Sequence, residues 1–190
     1  MGMTVNRRKD TRTPRVFIHK IADIRGGVSV ATSELGSDYL PEGAVLTEPK
    51  DGLCHVVKVA VLTAAVAASG KEIKVKKGHL FKVGDFVLTA LDGKASTVTA
   101  VDESNKDFDI IKVDAALGAI EIGGFICEAK AKAAESGAAL KYEPFAVNGT
   151  GKPIVPKSNL NTDAWVIGVT KGNALPDFIA AKLKNIVNYN

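Results

Sequence analysis

The sequence predicts a mainly β protein: a small β-barrel or sandwich built of short antiparallel strands, with a short C-terminal amphipathic helix. Three observations predict it. Between residues 71 and 128, strand-length apolar runs are separated by turn residues about every ten positions, the spacing of small barrels and sandwiches. Within those runs apolar and charged residues alternate, as Ile73 and Val75 do with Lys74 and Lys76. Only the C-terminal end shows helical spacing. With 46% hydrophobic and 24% charged residues in 190, the chain has the composition of a globular protein that packs a core.

Residues 1–15 read as a basic, disordered arm, with Arg7, Arg8, Lys9, Arg12 and Arg15 against Asp10 alone. The whole net charge of +4 sits there, and residues 16–190 balance. Such an arm on a neutral body suits an acidic surface, a phosphate backbone or an anionic membrane. Residues 16–70 form an N-terminal β segment. Gly26-Gly27 breaks it before Val28-Ser29-Val30, and Pro41 and Gly43 bracket a tight turn into Ala44-Val45-Leu46. Residues 53–68 combine alanine with β-branched residues and read as strand, with Val57, Val59 and Val61 in period two and Lys58 pointing outward.

Residues 71–128 make up the barrel module. Asp92-Gly93 is a type I′ hairpin signal between 86–89 and 96–101, and 102–107 is a polar loop. Gly123-Gly124 marks a bulge or close approach inside a strand over 120–127. Residues 129–141 are alanine-rich and lack large apolar anchors, giving a marginal helix or a linker. Residues 142–190 supply a hairpin or exposed loop at Asn148-Gly149, a last strand over 165–169 and the closing helix. In that helix Phe178, Ile179, Leu183, Ile186 and Val187 share one face behind Pro176 and Asp177. Residues 16–190 are also readable as one domain.

Chemistry-bearing residues are scattered. His19, His55 and His79 stand in separate segments, without the converging spacing a metal ion needs. Cys54-His55 sets a thiol beside a base, but neighbours on a strand point to opposite faces. A core cysteine beside a surface histidine is the expectation. Cys54 and Cys127 are too few for a disulfide framework and read as buried free thiols, with a bridge between them left open. Gly149-Thr150-Gly151-Lys152 lacks the earlier glycine of a phosphate loop and has Pro153 where a magnesium-holding hydroxyl belongs. Asp102, Glu103, Asp107 and Asp109 lack EF-hand spacing. No catalytic residue, cofactor site or metal site is assigned, and the chain is read as no enzyme. No apolar run reaches the roughly 20 residues of a membrane span, since Lys58 interrupts the longest. The arm lacks the apolar region of a secretory signal, so synthesis in a cytoplasm is expected.

Three segments together resemble the head fibre proteins of tailed phages and prophages, which decorate capsids. The first is His19-Lys20-Ile21-Ala22-Asp23-Ile24-Arg25-Gly26-Gly27-Val28-Ser29-Val30, followed by Asp38-Tyr39-Leu40-Pro41-Glu42-Gly43-Ala44-Val45-Leu46. The second is Cys54-His55-Val56-Val57-Lys58 with Lys77-Gly78-His79-Leu80-Phe81-Lys82-Val83-Gly84-Asp85-Phe86. The third is Trp165-Val166-Ile167-Gly168-Val169-Thr170, then Ala174-Leu175-Pro176. The resemblance implies a β-rich homotrimer on the virion surface, bound to a capsid protein and able to engage a host surface or glycan.

On that reading Arg7, Arg8, Lys9, Arg12 and Arg15 are the capsid-anchoring arm. Val57, Val59, Val61, Phe178, Ile179, Leu183 and Ile186 are the candidate oligomer contacts, because a symmetric subunit owns apolar surface that a monomer cannot bury. The alternative is a small β-barrel binding module for nucleic acid or carbohydrate, drawn from the cluster Lys71, Lys74, Lys76, Lys77 and Lys82. Only Phe81 and Phe86 accompany those lysines, and aromatic residues total 6%, which counts against stacked bases.

Overall fold

The computed structural model describes residues 15–155 and 157–189. Arg7, Arg8, Lys9 and Arg12 therefore lie outside the described residues, while Arg15 is exposed just ahead of the first strand. The protein is mainly β, 43% strand and 2% helix, and its sheets are predominantly antiparallel.

In chain order the strands are β1 (Phe17–Asp23), β2 (Val28–Val30), β3 (Tyr39–Leu40), β4 (Val45–Leu46), β5 (Leu53–Cys54), β6 (Val56–Val57) and β7 (Val59–Val61). Then come β8 (Glu72–Lys76), β9 (Phe86–Leu88), β10 (Ala95–Asp102), β11 (Phe108–Val113) and β12 (Phe125–Ala129). The last are β13 (Ala146–Asn148), β14 (Lys152–Pro153), β15 (Leu160–Thr162), β16 (Ala164–Lys171), the helix α1 (Asp177–Ala180) and β17 (Ile186–Tyr189). One large sheet runs β1-β16-β13-β4-β6, with β17 parallel to the far end of β16. A second runs β7-β12-β9-β10-β11-β8. Two small sheets, β14-β3 and β15-β2-β5, complete the fold.

Side-chain parity along the strands places the cores. In β4, β6 and β13, Val45, Val57 and Val147 point to one side while Leu46, Val56 and Ala146 point to the other, and all six are buried. Burial on both faces explains why these strands are apolar pairs and do not alternate with polar residues. Leu46, Val56 and Ala146 meet Val30, Leu40, Cys54 and Ala164. Val45, Val57 and Val147 meet Leu88, Cys127 and Ala129 of the second sheet. The opposite face of that sheet turns Ala60, Val87, Val98 and Ile126 toward Ile73, Val75, Phe81 and Ile111.

The second sheet curls around this last cluster without closing. Its first and last strands approach through one bridge, Leu62 with Val75, and one further hydrogen bond, Thr63 N–H to the Lys74 carbonyl at 2.9 Å. The closed barrel expected over 71–128 is therefore corrected to an open sheet whose first strand comes from outside that segment. β7 contributes only three residues before the chain turns away, too few to ladder along β8.

Further expectations change for local reasons. The C-terminal amphipathic helix shrinks to the four residues of α1, because Ile186 and Val187 instead pair in parallel with Gly168 and Val169. The alanine-rich stretch forms no helix. It lies extended against the β9–β10 connection, with bridges Ala95–Ala133 and Ala129–Leu140 and with Ala138 and Leu140 buried. Asp92 takes a positive φ of 56°, but Leu88 pairs with Ala95, so the connection is longer than a two-residue hairpin. Gly123 sits in a turn before β12, and a Cβ on Gly124 would meet Ile120 Cγ2 at 2.8 Å, a close approach and not a bulge. Asn148 is fully buried and not in an exposed loop; its Nδ2 donates to the Pro41 carbonyl at 2.8 Å and its Oδ1 accepts from Thr162 Oγ1 at 2.8 Å.

Phe81 carries the curled core, so Phe81→Ala is expected to cost about 3–5 kcal/mol. Chemical denaturation should show a lower midpoint with an unchanged denaturant slope.

Candidate functional site

Lys58 is the residue that sequence periodicity placed in solvent, and it is 1% exposed. It occupies the single position between β6 and β7, where the chain leaves one large sheet and enters the other. Counting by twos, it shares its side of the sheet with Ala60, as Glu128 does with Ile126 and Asp85 with Val87. The three charged side chains thus sit at the end of the curled core.

Their geometry is close. Lys58 Nζ donates to Asp85 Oδ2 at 2.6 Å and to Glu128 Oε1 at 3.2 Å, and all three side chains are buried. The Lys82 N–H also donates to Asp85 Oδ2, at 2.9 Å. Backbone bonds brace the site: Glu128 N–H reaches the Lys58 carbonyl at 3.0 Å, and Val98 N–H reaches the Asp85 carbonyl at 2.8 Å. Among the described residues, Glu128 Oε2 is buried without a hydrogen-bond partner.

The network continues toward the surface. Lys141 Nζ donates to Glu128 Oε1 at 2.9 Å and lies 3.7 Å from Glu34 Oε2. The Tyr142 hydroxyl is 2.8 Å from both Glu34 oxygens, and its ring stacks on His55 at 4.5 Å. His55 Nδ1 lies 3.3 Å from Glu34 Oε1. His55, Lys141 and Tyr142 line a surface groove of about 570 Å³ with the exposed Phe145.

Electrostatics grade along this chain of groups. Burial raises Glu128 above the ordinary carboxyl range, against the opposing charge of Lys58. Burial also disfavours the charged form of Glu34, but the Tyr142 hydrogen bond and the Lys141 charge outweigh it and hold that carboxyl low. Burial and the bond to Glu34 push Tyr142 up to about 12. The carboxyl at the core end is thus shifted upward and the one at the surface end downward.

A second titratable group, His79, Asp109, Glu103 and Lys77, is built differently. His79 Nδ1 accepts the Phe81 N–H at 3.2 Å, which places the proton of the neutral ring on Nε2. Nε2 faces Asp109 Oδ2 at 3.6 Å, and Lys77 Nζ donates to Asp109 Oδ1 at 2.5 Å. The lone pair a metal would take is engaged and a cation is already in place, so these residues suit an internal ion pair.

The residues singled out from sequence are dispersed. Val57, Ile179 and Leu183 are buried inside the subunit, and Val59, Val61, Phe178 and Ile186 are half-buried against the same cluster or at its edge. Cys54 and Cys127 are buried free thiols, and burial lifts Cys127 to about 12. Asp85 and Glu128 are not marked out by the sequence, because Asp85 follows the turn over 82–84 and Glu128 ends an apolar run before Lys130, and only the fold brings them to Lys58. The available signal was the lone charge of Lys58 in an apolar run.

No protein-family model, curated protein or solved structure matches this chain.

Glu34, held low, contributes stability that is present above its unfolded pKa and is lost as pH falls through the folded one. Tyr142→Phe removes a hydrogen bond to the carboxylate, so the Glu34 titration should move upward. Carboxyl-carbon NMR across an acid titration checks the shift, and acid unfolding should then show a smaller Glu34 contribution.

Proposed function

We propose that this chain is a non-catalytic structural subunit, a head fibre or decoration protein that self-associates and docks on a phage or prophage capsid. The observation that carries the reading is an apolar sheet face the subunit leaves uncovered. On β16 and β17 the partners Val169 and Val187 share one face, with Ile167 two residues before and Tyr189 two residues after. Ile21, in the irregular part of β1 between Lys20 and Ala22, adds to the exposed apolar surface. Ile21 is 65% exposed and Val187 59%, with Ile18, Ile167 and Tyr189 exposed as well. Contiguous exposed apolar surface on adjacent strands marks an interaction site more than scattered single residues do.

The occupant of this face is a second copy of the chain. The trimer implied by the sequence resemblance calls for such a surface, and the buried Val57, Ile179 and Leu183 are spent on the internal core. Arg15 lies two residues before β1, and the basic residues that precede it in the sequence are the proposed capsid anchor. Four of the five lysines behind the alternative, a nucleic-acid or carbohydrate module, make contacts within the subunit while remaining at its surface. Lys71 donates to the Asp114 carbonyl, Lys77 to Asp109, Lys82 to the Ser33 carbonyl, and Lys74 stands over the Phe108 ring at 5.0 Å.

Sedimentation equilibrium should find a trimer in the micromolar range, and Ile167→Asp with Val187→Asp should give a monomer with an unchanged circular-dichroism spectrum. A wild-type chain that stays monomeric at millimolar concentration would sink the proposal. Binding to labelled nucleic acid or glycans at low salt would favour the alternative.

A further inference from the structure

We propose that Lys58 and Asp85 form an intramolecular isopeptide bond, with Glu128 as the internal acid and base that catalyses it. This inference stands on the triad alone and does not rest on the proposed function.

Three features of the site favour the reaction. The nucleophile and the carboxyl are already in contact, with Lys58 Nζ 2.6 Å from Asp85 Oδ2, and side chains held this way react as if at very high concentration. Both are buried, 0% and 5% exposed at the side chain, so forming a neutral amide removes two charges that are held away from water. A second carboxyl touches the nitrogen, Glu128 Oε1 at 3.2 Å, and burial shifts that group upward, toward the range in which a carboxyl can both take and give a proton.

The step balances without an oxidant or co-reactant. One proton passes from the Lys58 ammonium to the Asp85 carboxylate, leaving an amine and a carboxylic acid. The nitrogen lone pair attacks Cγ of Asp85, forming the C–N bond and a tetrahedral oxyanion. The oxygen that stays is Oδ2, which the Lys82 N–H already holds at 2.9 Å and can stabilise as charge develops. Glu128 takes a second proton from the nitrogen and gives its own to the hydroxyl on Cγ. The C–O bond breaks, one water leaves, and Glu128 ends as it began. The product is a neutral amide in place of two buried charges.

The bond would lock the place where the chain passes between the two large sheets. Lys58 joins β6 to β7, and Asp85 immediately precedes β9, so the cross-link closes a loop that includes β8.

Mass spectrometry of the purified, folded full-length chain tests the idea. The intact mass should fall one water below that of the same chain without the bond, and digestion should release a branched peptide joining the Lys58 and Asp85 segments. Water can also leave Asp51-Gly52 or Asp92-Gly93 as a succinimide, but those products stay linear in the fragment spectrum. Glu128→Gln should fold with a native circular-dichroism spectrum and retain the water, and Asp85→Asn should lose ammonia in its place. Folded wild type with its full mass, and with Lys58 and Asp85 in separate linear peptides, overturns the proposal. Should Glu128→Gln fail to fold, the wild-type peptide map decides alone.

Discussion

Carrying a lysine into the interior requires that every route to water be replaced, and the arrangement around Lys58 governs how the two large sheets of this protein meet. The ammonium lies between Asp85 and Glu128, and each carboxylate is delivered by a different stretch of the second sheet. Desolvating one charge alone would cost several kcal/mol, so the three groups hold one another in register. Because Lys58 is the only residue between β6 and β7, that register also sets where the chain crosses from one sheet to the next.

The layering follows from that crossing. β4, β6 and β13 are buried on both faces, which leaves the first large sheet as a shared wall between two cores. The second sheet then has one face against that wall and one face free to curl around Phe81 and Ile111. Glu128 and Lys141 connect the end of the curled core to Glu34, His55 and Tyr142 in the surface groove. Acidity is graded along this path, from a carboxyl that burial shifts upward to one that its partners hold low. Groove and core are thus electrostatically joined, although no single run of sequence contains both.

The proposed structural role and the proposed cross-link draw on opposite ends of the molecule. One rests on the uncovered surface of β1, β16 and β17, where neighbouring strands present Ile21, Ile167 and Val187. The other rests on a triad that solvent does not reach. A subunit that docks by a rigid sheet face gains from a covalent brace at the junction of its sheets, since bracing the body preserves the geometry of the face.

Period-two alternation was legible wherever one face of a strand is wet. β8 reads as a strand from Ile73 and Val75 alone, and its burial alternates accordingly. The same local logic failed at Lys58, where a charged residue in an apolar run was assigned to solvent because periodicity carries no information about distant partners. It failed again at the C-terminus, where Phe178, Ile179, Leu183 and Ile186 have helical spacing but β16 offers Ile186 and Val187 a free parallel edge. The alanine-rich stretch likewise takes its shape from the β9–β10 connection it lies against. By itself the sequence determined the β class, most strand positions and the basic segment, since these depend on neighbours a few residues apart. Only the tertiary structure decided which charges meet, which sheet each strand joins and which apolar face stays bare, because pairing over long separations depends on the balance of burial across the whole chain.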